Sequence, residues 1–168
     1  KKLVINLLPD NILMRPLGHR LRITYSCFET NTRWSLKPQE YQQIQKLYRS
    51  QVYEHFRIRL GTARQEQFHV LILDNKHRVI EEKMITMGTL NQSLIHPREI
   101  FAPAIELRAA SVILIHSHPS GDTKPSQQDI EITKRLSEVG EIMGIKVMDH
   151  VIIGDGYFSF VDQEMMPV

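Results

Sequence analysis

Short stretches of strand length alternate with longer stretches of helical period along the chain. In residues 20–28, for example, Leu21, Ile23 and Tyr25 fall on one side, as in a half-buried strand. Residues 111–115 are almost continuously apolar, which is typical of a strand covered on both faces. Strands are predicted at residues 3–8, 20–28, 68–73, 78–85, 111–115, 146–153 and 157–160.

Apolar residues recur every three to four positions in the longer stretches, the spacing of an amphipathic helix. The first helix is predicted to begin at Pro38 and to run for about 20 residues. A second is predicted from Pro97 towards Ala110, although Pro103 would cost about 3 kcal/mol in a helix interior, so the helix is either kinked there or begins later. A third is predicted from Ser126 to Gly140. Its predicted apolar positions are Ile130, Thr133, Leu136 and Val139, with the aliphatic part of Lys134.

Turn-forming residues separate these elements. Residues 74–77 and 154–156 indicate two hairpins, and residues 86–93 are predicted to form a glycine-containing loop. Because strands and helices interleave, the sequence predicts a mixed sheet flanked by helices, of the α/β or α+β class.

Charge is distributed unevenly between two parts of the chain. Residues 1–61 hold 11 Lys and Arg against 4 Asp and Glu, whereas residues 62–168 hold 10 against 15. We therefore divide the chain into a basic segment, residues 1–61, that packs on or leads into the core, and a second domain, residues 62–168. The basic segment could contact nucleic acid, an acidic partner or the acidic remainder of the chain.

Composition excludes several classes of protein. The single cysteine, Cys27, rules out an internal disulfide and a cysteine-based zinc site. No apolar run approaches the roughly 18 residues of a membrane span, and nothing at the start resembles a signal peptide. We therefore expect a cytoplasmic protein without a membrane partner.

Two histidines follow the apolar strand at residues 111–115. His116 and His118 are two positions apart, and alternate residues of a strand project from the same face. Asp129 follows at the start of the third predicted helix. Two imidazoles and a carboxylate leave a fourth position open in a tetrahedral zinc site. The pattern therefore predicts a hydrolytic metal site with these three residues as ligands.

Ser126 and Asp129 also have a structural interpretation. A serine followed three positions later by an acid is a capping box, and an acid is favoured at a helix N-terminus without any metal. Ser126 is therefore either a helix cap or a hydrogen-bond donor to an oxyanion formed at the site. The capping and metal-binding roles of Asp129 are compatible with each other.

A general base must come from elsewhere in the chain. Glu66, just ahead of the strand at residues 68–73, is our candidate, and Glu81, Glu82 and Glu99 are its competitors. Two further polar clusters, at residues 96–99 and 149–150, are either structural or orient a ligand imidazole.

The chain resembles the JAMM (MPN-plus) metalloproteases. Its motif is His-x-His-Pro-Ser-Gly, with seven residues between His118 and Ser126 and two between Ser126 and Asp129. The blocks at 88–91, 96–99, 125–126, 149–152 and 159–160 are similar, more narrowly, to the RadC-like branch. The resemblance extends from about residue 65 to residue 161.

This resemblance implies a cytidine-deaminase-like α/β fold and Zn²⁺ held by His116, His118 and Asp129. It assigns the base to Glu66 and the oxyanion-stabilising position to Ser126. The expected activity is that of a zinc metallopeptidase or isopeptidase on a protein or peptide substrate, including conjugates of a ubiquitin-like modifier. The RadC-like branch also carries a DNA-repair label.

The chain departs from the RadC-like pattern at Ser117, where asparagine is usual, and at Pro103. Residues 1–61 match no segment of the branch, and its helix-hairpin-helix DNA-binding segment is not evident. Two alternatives to the hydrolase stay open. One is a DNA-associated accessory protein with a structural or vestigial metal, and the other is an iron oxygenase with two histidines and one carboxylate.

Overall fold

The computed structural model describes residues 38–60, 63–88 and 95–167, and in the first helix the side chains from Arg49 onwards. The predicted strands at residues 3–8 and 20–28 lie outside the described residues. Within the described ranges, three helices and five strands follow one another. They are α1 (Pro38–Leu60), β1 (Gln67–Leu73), β2 (Val79–Met87), α2 (Pro97–Glu106), β3 (Ser111–Ser117), α3 (Gln127–Met143), β4 (Lys146–Ile153) and β5 (Tyr157–Ser159).

The five strands form one mixed sheet in the order β2-β1-β3-β4-β5. The β1 strand is antiparallel to both β2 and β3, and β5 is antiparallel to β4. Only β3 and β4 pair in parallel, and α3 makes the connection between them, as a parallel crossover requires. The mixed α/β sheet predicted from the sequence is therefore confirmed.

Helices cover both faces of the sheet. One face packs against α1 through a buried cluster that includes Val52 and Phe56, and the other packs against α2 and α3. Successive side chains of β3 point to opposite faces of the sheet: Val112 and Leu114 pack on the α2–α3 side, while Ile113 and Ile115 pack on the α1 side. This is why the strand reads as a continuous apolar run.

Several predicted boundaries are corrected. The β2 strand extends through Thr86 and Met87, which we had assigned to a loop, because both pair with β1. Helix α2 ends at Glu106 rather than near Ala110, and Arg108 beyond it has a positive φ of 51°. The helix does begin at Pro97 and contains a buried Pro103.

The buried face of α3 differs from the predicted one. Its buried residues are Asp129, Ile132, Thr133, Leu136, Ser137 and Gly140. Thr133 and Leu136 are buried as predicted, but Ile130 is only half-buried and Lys134 is exposed, so the buried face is shifted around the helix axis towards Asp129, Ile132 and Ser137. The shift places two polar residues that were not predicted to be buried, Asp129 and Ser137, on the side that faces the sheet.

A buried ion pair joins α1 to β4. The Nε atom of Arg49 lies 3.0 Å from Oδ2 of Asp149, and the side chains are 3% and 4% exposed. Asp149 also accepts hydrogen bonds from the Ser159 hydroxyl, at 2.7 Å, and from the Val161 amide, at 3.1 Å. The division of the chain at residues 61 and 62 stays a prediction.

Candidate metal centre

His116 lies near the end of β3 and is 1% exposed. Alternate residues of a strand face the same side of the sheet, so the ring of His116 lies on the α2–α3 side with Val112 and Leu114. Phe68, its partner across the β1–β3 ladder, packs beside it with ring centroids 6.0 Å apart. The strand thus delivers one imidazole to the N-terminal end of α3.

His118 follows the strand and is held by backbone groups. Its amide donates to the carbonyl of Ile153 at 2.8 Å, and Nδ1 lies 2.7 Å from the carbonyl oxygen of Asp122. A carbonyl only accepts, so Nδ1 carries a proton, and in the neutral ring Nε2 keeps its lone pair. Nε2 lies 3.6 Å from Oδ2 of Asp129, on the side of the carboxylate.

Asp129 is completely buried at the start of α3 and takes part in a capping box with Ser126. Its Oδ2 atom accepts from the Ser126 amide at 2.7 Å and from the Ser126 hydroxyl at 2.6 Å. The other oxygen, Oδ1, has no hydrogen-bond partner among the described residues and lies 2.8 Å from Nδ1 of His116. Oδ2 therefore caps the helix and lies 3.6 Å from Nε2 of His118, while Oδ1 faces His116.

These three residues form a cluster that can hold one metal ion. One ligand atom from each lies within 4.8 Å of the others. Atoms of a tetrahedral shell with bonds of about 2 Å are about 3.3 Å apart, a separation that falls between the 2.8 and 3.6 Å distances just given. Both ring nitrogens of His116 and Oδ1 of Asp129 are buried without a hydrogen-bond partner in this part of the structure. Unpaired buried polar atoms are costly, and a cation would satisfy them.

The charge of the cluster also suits a cation. Burial raises the pKa of Asp129, but contacts with His116 and His118 and the hydrogen bond from Ser126 outweigh it and hold the pKa well below its usual range. The carboxylate is therefore ionised. Contact with this carboxylate raises the pKa of His118 against the opposing effect of burial.

Glu66 lies at the edge of this cluster. Phe68 pairs with His116 in an antiparallel ladder, so two residues earlier Glu66 reaches the level of His118. Its negative charge is among the causes that raise the pKa of His118. The Glu66 carbonyl accepts from the Gly88 amide at 2.8 Å, and the next residue, Gln67, donates its amide to the Ser117 hydroxyl at 2.9 Å.

The competing glutamates lie elsewhere. Glu81 pairs with Ile72, four residues along β1 from the partner of His116, or about 13 Å. Glu82 is engaged by His55, His69 and Arg59. Glu99 is exposed in the first turn of α2, where Arg98 lies 3.2 Å from it.

Buried polar groups extend beyond the cluster to His150. The Thr133 hydroxyl lies 2.5 Å from the carbonyl oxygen of Asp129 and 2.7 Å from Nδ1 of His150. Burial, reinforced by the charge of His116, lowers the pKa of His150 to about 3, so the ring is neutral. The two polar residues at 149–150 therefore have different partners: Asp149 binds Arg49, whereas His150 faces the candidate metal ligands.

Sequence reasoning missed several supports of the cluster. The Thr133 and Ser117 hydroxyls are isolated polar groups in apolar segments. Their partners, His150 and the Gln67 amide, are distant in the sequence, so no local pattern indicates these contacts. The loop after His118 is fixed by a close approach of two backbones: a Cβ on Gly154 would lie 2.3 Å from the Gly121 oxygen. Gly121 itself has φ +84°, and its carbonyl accepts from the Asp155 amide at 2.9 Å.

The remaining sequence predictions concern partners and surroundings. His96 is the N-cap of α2 without a side-chain cap hydrogen bond, and its proposed orienting role stays a prediction. Nucleic-acid binding, one of three roles left open for the basic segment, rests on basic residues that mostly lie outside the described ranges. Within those ranges, Arg57 and Arg59 pair with Glu54 and Glu82. None of the helices in the described part of the chain has the length and hydropathy to cross a membrane.

Comparison with known proteins agrees with this geometry. The family model of the RadC-like JAB domain matches residues 47–165. The chain is 54% identical over 117 residues to a UPF0758 protein of Pelobacter propionicus, a match that covers 69% of this chain and 51% of that protein. It is 53% identical over 118 residues to a UPF0758 protein of Geotalea uraniireducens, covering 70% and 52%.

The metal cluster and the mixed sheet thus occur in a chain that belongs to the RadC-like JAB domain family. The match begins within α1 and ends beyond β5, so it includes the whole sheet and every residue of the cluster. The expectation that residues 1–61 match no segment of the branch is therefore wrong for residues 47–61. The chain spans about half the length of the curated relatives it matches.

Proposed function

We propose that this domain is a metal-dependent hydrolase that cleaves an amide or isopeptide bond. The observation that carries the proposal is the convergence of His116, His118 and Asp129, whose ligand atoms lie within 4.8 Å of one another in a buried and ionised cluster. Membership of the JAB family supports the same class of reaction.

Zinc is the metal that the donor set favours. Two neutral nitrogens and one carboxylate oxygen are a common catalytic zinc set, with a fourth position left for water or substrate. The ionised carboxylate of Asp129 is in the state that metal binding needs, whereas His118, whose pKa is raised, must release any proton on Nε2 when the ion binds. When bound, the ion supplies Lewis acidity that activates water and polarises the scissile carbonyl.

Glu66 is the proposed general base. At the level of His118 and at the mouth of the cluster, its carboxylate accepts a proton from the attacking water as the oxygen adds to the carbonyl carbon. The same proton then passes to the leaving nitrogen when the carbon–nitrogen bond breaks. Water is consumed, and a carboxylic acid and an amine are released, so the reaction needs no other reactant.

Ser126 is the proposed donor to the developing oxyanion, but its hydroxyl hydrogen is engaged on Asp129 in the structure. To serve the oxyanion, the hydroxyl must rotate, and Asp129 Oδ2 then keeps the hydrogen bond from the Ser126 amide at 2.7 Å. The cap therefore does not depend on the hydroxyl alone. Ser126 is exposed, which allows a substrate to reach it.

A protein or peptide is the proposed substrate, with a ubiquitin-like conjugate as one form. Pro119 and Ser120 in the loop after the second histidine are exposed, as is Ser126 across the cluster. The entrance is thus on the surface of the domain, where a folded protein can present an extended segment. The names of the relatives give no substrate.

Metal analysis tests the proposal directly. We expect the purified protein to contain one equivalent of Zn²⁺, and His118→Ala to lose it. The variant Glu66→Gln should keep the metal and lose at least about 100-fold in hydrolysis, as expected for a general base. Fluorogenic peptides and lysine-isopeptide-linked peptides are suitable probes of activity.

Two results would contradict the proposal. A wild-type protein that takes up no Zn²⁺ would remove the metal-dependent reaction altogether. Stoichiometric iron together with iron-dependent oxygen consumption would favour the oxygenase alternative. In contrast, zinc uptake with unchanged activity in Glu66→Gln would leave the metal site and reject only the base.

A further inference from the structure

A side-chain hydrogen bond continues the contact between β1 and β3 beyond the end of their ladder. The last pair of the ladder at this end is Phe68 and His116. One position further, the Gln67 amide donates to the hydroxyl of Ser117 at 2.9 Å. Ser117 is the residue between the two histidines of the cluster, and it is 2% exposed. Its hydroxyl thus takes the place of a backbone acceptor where the ladder ends.

Ser117 lies on the face of the sheet opposite to the metal cluster. Alternate residues of β3 share a face, so Ser117 is on the α1 side with Ile113 and Ile115. The ring of His116 is on the other side. Any effect of the Ser117 hydroxyl on the cluster must therefore pass through the backbone of β1, to which it is bonded.

The backbone of Glu66 and Gln67 is held from both sides. The Glu66 carbonyl accepts from the Gly88 amide at 2.8 Å, on the β2 side. The Gln67 amide is directed to the β3 side, because successive residues of an antiparallel strand address its two neighbours in turn. Glu66 and Phe68 are two positions apart, so the same alternation places the Glu66 side chain on the face where Phe68 packs beside His116.

We propose that Ser117 is a positioning residue for the general base. By accepting from the Gln67 amide, its hydroxyl holds the residue next to Glu66 against β3 and so sets the distance from the Glu66 carboxylate to the metal ligands. A base must come within about 2.6–3.2 Å of the group whose proton it takes, so a displacement of about 1 Å is costly. The proposal rests on the role of Glu66 in the proposed function, and it assigns Ser117 no contact with substrate or metal.

Amide hydrogen exchange in the metal-free protein tests the hydrogen bond without any need for activity. Ser117→Ala removes the acceptor, and we expect the Gln67 amide to exchange at least about fivefold faster. Ser117→Thr keeps a hydroxyl and should retain the slow exchange. Ser117→Val has the shape of threonine without the hydroxyl and should exchange as fast as Ser117→Ala, so this pair isolates the hydroxyl from any effect of size.

Crystal structures give the position of the base directly. We expect the Glu66 carboxylate to move by about 1 Å or more relative to His118 in Ser117→Ala. The Ser117→Thr variant should keep the wild-type position. Both this measurement and amide exchange decide the point even if the wild type cleaves none of the peptide probes.

Kinetics and zinc content separate an effect on the base from an effect on the ligands. With a lysine-isopeptide-linked fluorogenic peptide, we expect Ser117→Ala and Ser117→Val to lose about 10- to 100-fold in kcat while KM stays the same. The Zn²⁺ content of both variants should equal that of wild type. Ser117→Thr should recover most of kcat.

Ser111 provides a matched control on the same strand. It is the first residue of β3, lies on the same face as Ser117, and is also 2% exposed. Its hydroxyl has no hydrogen-bond partner in the described structure. Ser111→Ala should therefore leave both Gln67 exchange and kcat unchanged. Urea unfolding shows whether each variant is folded under the conditions of the assay.

Several outcomes would overturn the proposal. Unchanged exchange at Gln67, an unmoved Glu66 carboxylate or an unchanged kcat in Ser117→Ala would each do so. Loss of Zn²⁺ from Ser117→Ala would also overturn it, because Ser117 would then hold the ligands rather than the base. Failure of the proposed function is recognised by different results: no Zn²⁺ uptake in wild type, or full activity in Glu66→Gln.

Discussion

Ser126 and Asp129 bind each other through both backbone and side chain. The Ser126 amide and hydroxyl both donate to Oδ2 of Asp129, at 2.7 and 2.6 Å, and the Asp129 amide donates to the Ser126 hydroxyl at 3.2 Å. Both hydrogen bonds from Ser126 go to Oδ2, so capping the helix and holding a metal ion can use different oxygens of one carboxylate. Helix capping leaves Oδ1 available to a cation.

Ser126→Ala separates the two roles. The variant removes one of the two donors to Oδ2, and we expect the free energy of unfolding to fall by about 1 kcal/mol, the usual cost of an N-cap. Zn²⁺ binding should persist because the Ser126 amide still holds Asp129. Urea unfolding and metal content are the measurements. Asp129→Asn is the comparison variant, and we expect it to lose the metal as well as the cap.

Glycine at position 154 should be indispensable to the loop that contains the second histidine. A Cβ there would lie 2.3 Å from the Gly121 oxygen, so Gly154→Ala must displace one backbone segment. We expect a loss of about 1–3 kcal/mol in the free energy of unfolding, as in other overpacked sites, together with weaker Zn²⁺ binding.

Gly156→Ala is the control for this substitution. It lies in the same turn, and a Cβ on Gly156 would meet nothing within 4 Å. Thermal unfolding of both variants makes the comparison. Equal stability of the two variants would contradict the role that we assign to the contact between Gly121 and Gly154.

The ion pair between α1 and β4 should be far more important than the surface pair on the same helix. Removing Arg49 by Arg49→Met leaves Asp149 buried without its cation, and we expect a cost of about 3–5 kcal/mol. Arg57→Met removes a half-exposed partner of Glu54 and should cost less than about 1 kcal/mol. Urea unfolding of both variants decides the point, and similar losses would contradict the prediction.

Glu82 makes stability depend on pH in the acid range. Burial raises its pKa, but hydrogen bonds from His69, His55 and Arg59 outweigh this effect and lower the pKa from 4.5 to about 2. Because the folded-state pKa is below that of the unfolded chain, the stabilisation is complete above about pH 4.5 and disappears as the pH falls towards 2.

The corresponding experiment compares wild type with Glu82→Gln between pH 7 and pH 2. We expect the wild type to be the more stable protein at pH 7, and the difference in free energy of unfolding to shrink below about pH 4.5. Taking the difference removes the contributions of other carboxylates. A difference that stays constant across this range would show that Glu82 is not the source of the pH dependence.

The spacing of apolar residues predicted most elements of the described fold, because strands and helices each bury residues at their own regular spacing. The β4 boundaries were predicted at residues 146–153 and are confirmed, since turn residues lie at the end of an apolar run. The end of α2 was placed too late, because the chain continues with residues that tolerate a helix while Arg108 adopts a positive φ. Composition does not reveal such a backbone change.

The cluster was predictable from sequence to the extent that its residues share one short segment. The spacing of His116, His118 and Asp129 places them on a strand, its loop and the next helix, and these three positions converge in the structure. Thr133 and His150 are 17 residues apart and come together only when α3 packs on β4. Their relation depends on tertiary packing, and no local period encodes it.

The two histidines of the cluster have unequal attachment to the molecule. His116 belongs to the central strand, which pairs with β1 on one side and β4 on the other and is buried at every position. His118 lies in the loop beyond that strand and is partly open to solvent. Amide hydrogen exchange should therefore be slower at His116 than around His118. If the cluster holds an ion, we expect the ion to enter and leave through the loop that contains His118, because β3 is the more rigid of the two segments.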